Sequence, residues 1–107
     1  MATQGLVTVR GDNKVVMKVI AGCDGYNAKK LATALKGLWP VDAQDAYDIA
    51  LSLGFGSTSS LVVITESETI YKGEEELDPR YRETFHRTRF NPRWEHGTAD
   101  FISIIEV

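Results

Sequence analysis

Cysteine is nearly absent. Cys23 is the one thiol in 107 residues, so an internal disulfide is excluded and a reducing compartment, the cytoplasm, is expected. Histidine is almost as scarce: His86 and His96 lie more than sixty residues from Cys23. No Cys-x-x-Cys or His-x-x-x-His spacing occurs, which argues against a structural zinc site. Long apolar runs are missing too; Leu61-Val62-Val63-Ile64 is typical and far too short to cross a bilayer as a helix. Met1 to Gly5 has neither a basic stretch nor an apolar one, so no signal peptide is expected. No glycine-rich segment leads into a helix carrying the lysine and hydroxyl of a phosphate-binding loop, and no cofactor is expected. The chain is 43% hydrophobic and 25% charged, which predicts one globular domain over residues 1–107 without linker or repeat.

The net charge of −3 is unevenly spread. From Met1 to Gly37 six Lys/Arg face Asp12 and Asp24, whereas from Leu38 to Arg80 nine acids face Lys72 and Arg80. From Tyr81 onward four arginines face four acids. Such a balance argues against nonspecific DNA binding over the whole surface, because neutralising phosphates needs clustered cations. It leaves room for a local anion site.

Gly5 to Arg10 and Lys14 to Ile20 are valine-rich and predict two strands, joined at Gly11-Asp12-Asn13 into a hairpin. Alternation places Val15, Met17 and Val19 on one face of the second strand and Val16, Lys18 and Ile20 on the other. After the loop Ala21 to Tyr26, Asn27 is the expected cap of a helix over Ala28 to Lys36, with Gly37 as its stop. Leu31, Leu35 and Leu38 form its apolar stripe. Asp42, reinforced by Asp45, starts a second helix with Ala46, Ile49, Ala50 and Leu53 inward and Gly54 as stop. Val41 and Ala46 are placed to close a hydrophobic staple, and Trp39 is expected at the junction of the helices.

Leu61 to Thr65 and Thr69 to Lys72 predict a strand pair, and Arg80 to Phe90 a further strand that Asn91-Pro92 ends. Ala99 to Val107, apolar on both faces, predicts a strand in the middle of the sheet. The order of elements predicts an α+β fold: a mostly antiparallel sheet of about five strands with two consecutive short helices on one face.

Thr3-Gln4-Gly5-Leu6-Val7 together with Asp24-Gly25-Tyr26 resembles a group of small, uncharacterised phage and prophage proteins. These typically open with Met-Gly-Thr-Arg-Gly and carry a Trp-Asp-Gly-Tyr-Pro-like segment after the first hairpin. Ala2, Gln4, Cys23 and Asn27 stand where Gly, Arg, Trp and Pro are usual. The resemblance covers about the first quarter of the chain. It implies a mobile-element origin, an α+β fold and the cytoplasm of a host cell as location.

Four sets of residues are candidates for chemistry. Thr3-Gln4-Gly5, the hairpin and Cys23-Asp24-Gly25 are loosely similar to hydrolases with an N-terminal nucleophile, but removal of Met1 would expose Ala2, which carries no hydroxyl or thiol. Cys23 with His86 would make a thiol pair; a small buried cysteine is the ordinary alternative. Asp24 and Tyr26 offer a carboxylate and a ring to a ligand, or Asp24 caps the following helix through the Tyr26 or Asn27 amide. The strongest signal is Arg80 to Trp94, where five arginines interleave with four aromatics and only Glu83 opposes them. Guanidinium groups grip phosphates and carboxylates and stack on rings; the competing expectation is pairing with Glu74, Glu75, Glu76 and Asp78. Arg87, Arg89, Arg93 and Trp94 are therefore the predicted partner-binding residues, Arg and Trp being the types that dominate interfaces.

The resulting expectation is a non-enzymatic protein-binding module that occupies a host or defence protein, without membrane insertion. The alternatives are a nucleotide or nucleic-acid binder through residues 80–94 and a small hydrolase. Pairing of Arg80 to Phe90 as an edge strand would make a homodimer.

Overall fold

A computed structural model describes residues 3–58, 60–71 and 99–107. Two strands open it, β1 (Gly5–Gly11) and β2 (Lys14–Ala21), followed by one turn of 3-10 helix (Gly25–Asn27). Helices α1 (Ala28–Leu38) and α2 (Ala43–Ser52) come next, then strands β3 (Leu61–Thr65), β4 (Thr69–Ile70) and β5 (Phe101–Glu106). The sheet runs β4-β3-β2-β1-β5; all neighbours are antiparallel except β1 and β5, which are parallel. This is the α+β architecture expected, with both helices on one face.

The hairpin forms because Asp12 and Asn13 both accept positive φ (54° and 64°), the backbone that a tight two-residue connection with right-handed twist demands. Beyond it the expected alternation is broken. Val9 pairs with Met17 but Arg10 with Val15, so Val16 is an extra residue in a bulge. The consequence is a swap of faces: Val16, expected beside Lys18, packs instead against the helix-side core.

Buried apolar side chains lie on both faces of the sheet. Val7, Val9, Met17, Val19, Leu61 and Val63 meet Leu31, Leu35, Ala46, Tyr47 and Ala50 of the helices. Each fully buried leucine there stabilises the fold by about 2 kcal/mol. On the opposite face Leu6, Ile20, Val62 and Ile64 form a second cluster, with Tyr71 and Ala99 against it. Lys18, which pairs with Thr8 and Ile64 on that face, is only 2% exposed.

Helix α2 starts and stops as its sequence dictates. Asp42 Oδ1 accepts from Asp45 N at 2.8 Å. At the other end Phe55 N donates to Ala50 O and Gly54 N to Leu51 O, with Gly54 at φ 73°, the paired closure of a Schellman motif. Helix α1 departs from expectation at both ends. The Asn27 side chain does not cap it; Nδ2 donates to Leu53 O at 2.9 Å, tying the start of α1 to the end of α2. Gly37 does not stop it either: the helix runs through Leu38, which is exposed rather than inward, and ends at Trp39. Trp39 is extended because a residue before proline is held out of the helical region. As expected, it packs against the core where the helices meet.

Strand β5 is the largest correction. Apolar residues on both faces predicted a central strand, yet among the described residues β5 is the outer strand, paired with β1 on one side. Ile105 packs against the core, while Ile102 and Ile104 are 54% and 62% exposed. A two-sided apolar pattern does not by itself count a strand's neighbours. The expected strand Arg80 to Phe90 lies outside the described residues.

Candidate functional site

The segments Thr3 to Val7 and Asp24 to Tyr26 are separate in sequence and adjacent in space. Gly25 N donates to Thr3 O at 2.9 Å where the chain crosses the start of β1. The crossing is too tight for any side chain: a Cβ on Gly25 would lie 2.2 Å from Gly5 N, and one on Gly5 would lie 2.5 Å from Gly25 O. Only glycine allows main chains to approach so closely.

Asp24, one residue before this crossing, is exposed and takes the left-handed backbone (φ 55°). Its carboxylate does not cap the helix that follows, contrary to the local role expected for it; instead its carbonyl accepts from Gly56 N at 3.1 Å. Tyr26 is 55% exposed beside it. The structure therefore brings Asp24 and Tyr26 to the surface at one end of the sheet. Asp100 reaches the same end, where its Oδ2 accepts from Gln4 N at 3.1 Å and its own N donates to Gln4 O at 2.9 Å. That reciprocal pair sets the parallel register of β5 on β1.

Cys23 is partly buried against two hydroxyls, Ser60 Oγ at 3.1 Å and Ser57 Oγ at 3.4 Å. Ser57 N also donates to Ser60 Oγ, so the thiol joins a turn that is already closed on itself. Neither hydroxyl is a base able to take the thiol proton. The His86 of the thiol-pair expectation, and His96, lie outside the described residues. Among the described residues no group of three His, Cys, Asp or Glu side chains is placed to hold a metal. No described helix is long and apolar enough to cross a membrane.

Arg87, Arg89, Arg93 and Trp94, the predicted partner-binding residues, lie outside the described residues, as do Glu74 to Asp78. What sequence reasoning missed is the surface made by β5 and α1. Ile102 pairs with Leu6 and Ile104 with Thr8, so both isoleucines continue the second face of the sheet past its last apolar neighbour. On the helix face a cleft of about 550 Å3 separates α1 from β5. Lys29, Ala32, Thr33, Lys36 and Gly37 form one wall, with Ser103, Ile104 and Ile105 opposite. Lysines 29 and 36 stand at i and i+7, a spacing already visible in the sequence as the polar side of α1. Nothing in the sequence disclosed that β5 would lie alongside them.

Arg10 reaches Glu106 at 3.6 Å across β1 and β5, an exposed pair that contributes little. Tyr47 in α2 is buried, and among the described residues its hydroxyl has no hydrogen-bond partner. Burial, and then the Asp48 carboxylate, push its phenol above the ordinary value of 10.0. Compared with protein-family models, curated proteins and solved structures, the chain matches none of them.

Proposed function

We propose that the chain is a non-enzymatic protein-binding module, a phage-type accessory protein that occupies a surface of a host or defence protein. The observation that carries this reading is β5, the outer strand among the described residues, where Ile102 and Ile104 on one face and Phe101 on the other expose large apolar side chains. Isolated exposed apolar residues are ordinary, but a contiguous apolar strand at the margin of a sheet is what a protein partner covers. The mobile-element origin implied by the resemblance supplies the class of partner.

The test uses the chain as bait and compares it with an Ile102→Lys, Ile104→Lys variant, quantifying each captured protein. Both side chains are more than half exposed, so the variant folds and circular dichroism is unchanged. A specific partner lost in the variant supports the reading; equal capture by both counts against it. An Arg87→Ala, Arg89→Ala, Arg93→Ala variant run in parallel tests the cationic segment, and unchanged capture removes those residues from the contact. A partner held through phosphates would instead lose affinity steeply and linearly with the logarithm of salt concentration.

A further inference from the structure

Resting on the reading as a protein-binding module, we propose that the cleft between α1 and β5 receives an extended acidic segment of a partner protein as an added strand. The main chain of β5 sets the first condition. Phe101 N donates to Gln4 O at 3.2 Å and Val107 N to Arg10 O at 2.8 Å, so these odd-numbered positions face β1. In a parallel ladder successive residues turn their N–H and C=O to opposite sides. Ile102 and Ile104 therefore aim theirs away from β1, where an added strand hydrogen-bonds.

The second condition is charge. An added strand would alternate its side chains between the two faces of the sheet. Those on the helix face enter the cleft, whose α1 wall presents Lys29 and Lys36. Both lysines are exposed, and neither is ion-paired with a described residue. The wall between them is low, because Ala32 is small and the Thr33 hydroxyl is turned back to Lys29 O at 3.0 Å. Carboxylates on the incoming segment are the complement of that wall. Side chains on the other face would lie beside Ile102 and Ile104 and are best apolar. The occupant is thus an alternating acidic and apolar strand. A second copy of β5 fits less well, since Asp100 and Glu106 stand at its two ends and its middle is Ile102, Ser103 and Ile104.

The probe is a fluorescein-labelled peptide of four Glu-Val repeats, compared by anisotropy with four Lys-Val repeats and with a peptide of the β5 sequence. The Glu-Val peptide is expected to bind about tenfold tighter than either, and Lys29→Glu with Lys36→Glu is expected to reverse the charge preference. N-methylation of alternate peptide residues tests strand addition on the unaltered protein. One of the two methylation patterns should weaken binding about tenfold and the other should not, because only one set of amides faces β5. Equal binding of the charged peptides, a preference that survives charge reversal, or indifference to both methylation patterns overturns the proposal. Tighter binding of the β5 peptide does so as well, in favour of self-association. Loss of partner capture by the Ile102→Lys, Ile104→Lys variant without Glu-Val binding overturns the cleft proposal and leaves the module standing. Charge-selective peptide binding with capture indifferent to that variant supports the cleft and counts against the apolar strand as the partner contact.

Discussion

Replacing Gly25 by alanine would test the crossing that joins the loop after β2 to the start of β1. The new methyl carbon would sit 2.2 Å from Gly5 N, 2.5 Å from the Gln4 carbonyl carbon and 2.6 Å from Gly5 Cα. All three are main-chain atoms, so no side chain can rotate away and the strand itself must move. Overpacking a well-filled site costs about 1–3 kcal/mol even when side chains yield. Separation of the two segments also breaks the 2.9 Å bond from Gly25 N to Thr3 O, which is worth about 1 kcal/mol. A loss of about 4 kcal/mol is therefore expected, a large fraction of the roughly 5–15 kcal/mol that holds a domain together. Urea denaturation followed by circular dichroism measures it as a fall in the transition midpoint. Gly37→Ala is the control: nothing lies within 4 Å of the position its methyl would take, and α1 gains a better helix former. That variant should be more stable by about 0.5 kcal/mol. A Gly25→Ala protein within about 1 kcal/mol of wild type would refute the argument, because a real overlap of main chains cannot be that cheap.

Three further outcomes follow from the helices. Tyr47→Phe removes a buried hydroxyl without a partner among the described residues and should raise stability by about 1 kcal/mol, read as a higher thermal midpoint. It should also flatten part of the alkaline decline. Below pH 10 the phenol is neutral folded and unfolded; above it the unfolded chain ionises first, so stability drains as pH climbs toward the raised folded value. A variant with unchanged alkaline behaviour would show that Tyr47 ionises as freely as an exposed tyrosine. Asp42→Ala deletes the acceptor for Asp45 N and should cost about 1 kcal/mol in urea, whereas Asp42→Ser should recover most of it. Asn27→Ala removes the bond to Leu53 O and should destabilise by about 1 kcal/mol in urea; a midpoint equal to wild type would show that this tie between the helices contributes nothing.

Much of the fold was readable where a feature depends on neighbours in the chain. The Asp12-Asn13 turn, the Asp42 cap and the Gly54 closure were each visible because they use backbone preferences local to a few residues. The bulge at Val16 was not, since it is set by how β2 registers on β1 and no residue type marks it. Asn27 illustrates the same limit: a good cap by type, it bonds the far end of another helix instead. The candidate residues fared similarly. Asp24 and Tyr26 were legible as a polar, turn-forming pair, but that Thr3 and Gly25 touch required the fold.

Local chemistry in the chain thus decided the hairpin turn and both ends of α2, and the order of strand-forming and helix-forming segments decided the α+β layer structure. Which side of β5 is covered, and that lysines of α1 stand across from it, came only from packing. The reason is physical: hydrogen-bonded turns and caps are short-range, whereas a strand's neighbours are chosen by contacts between segments nearly a hundred residues apart, such as Gln4 with Asp100. An apolar strand reads alike in a sequence whether its second side meets another strand or waits for a partner.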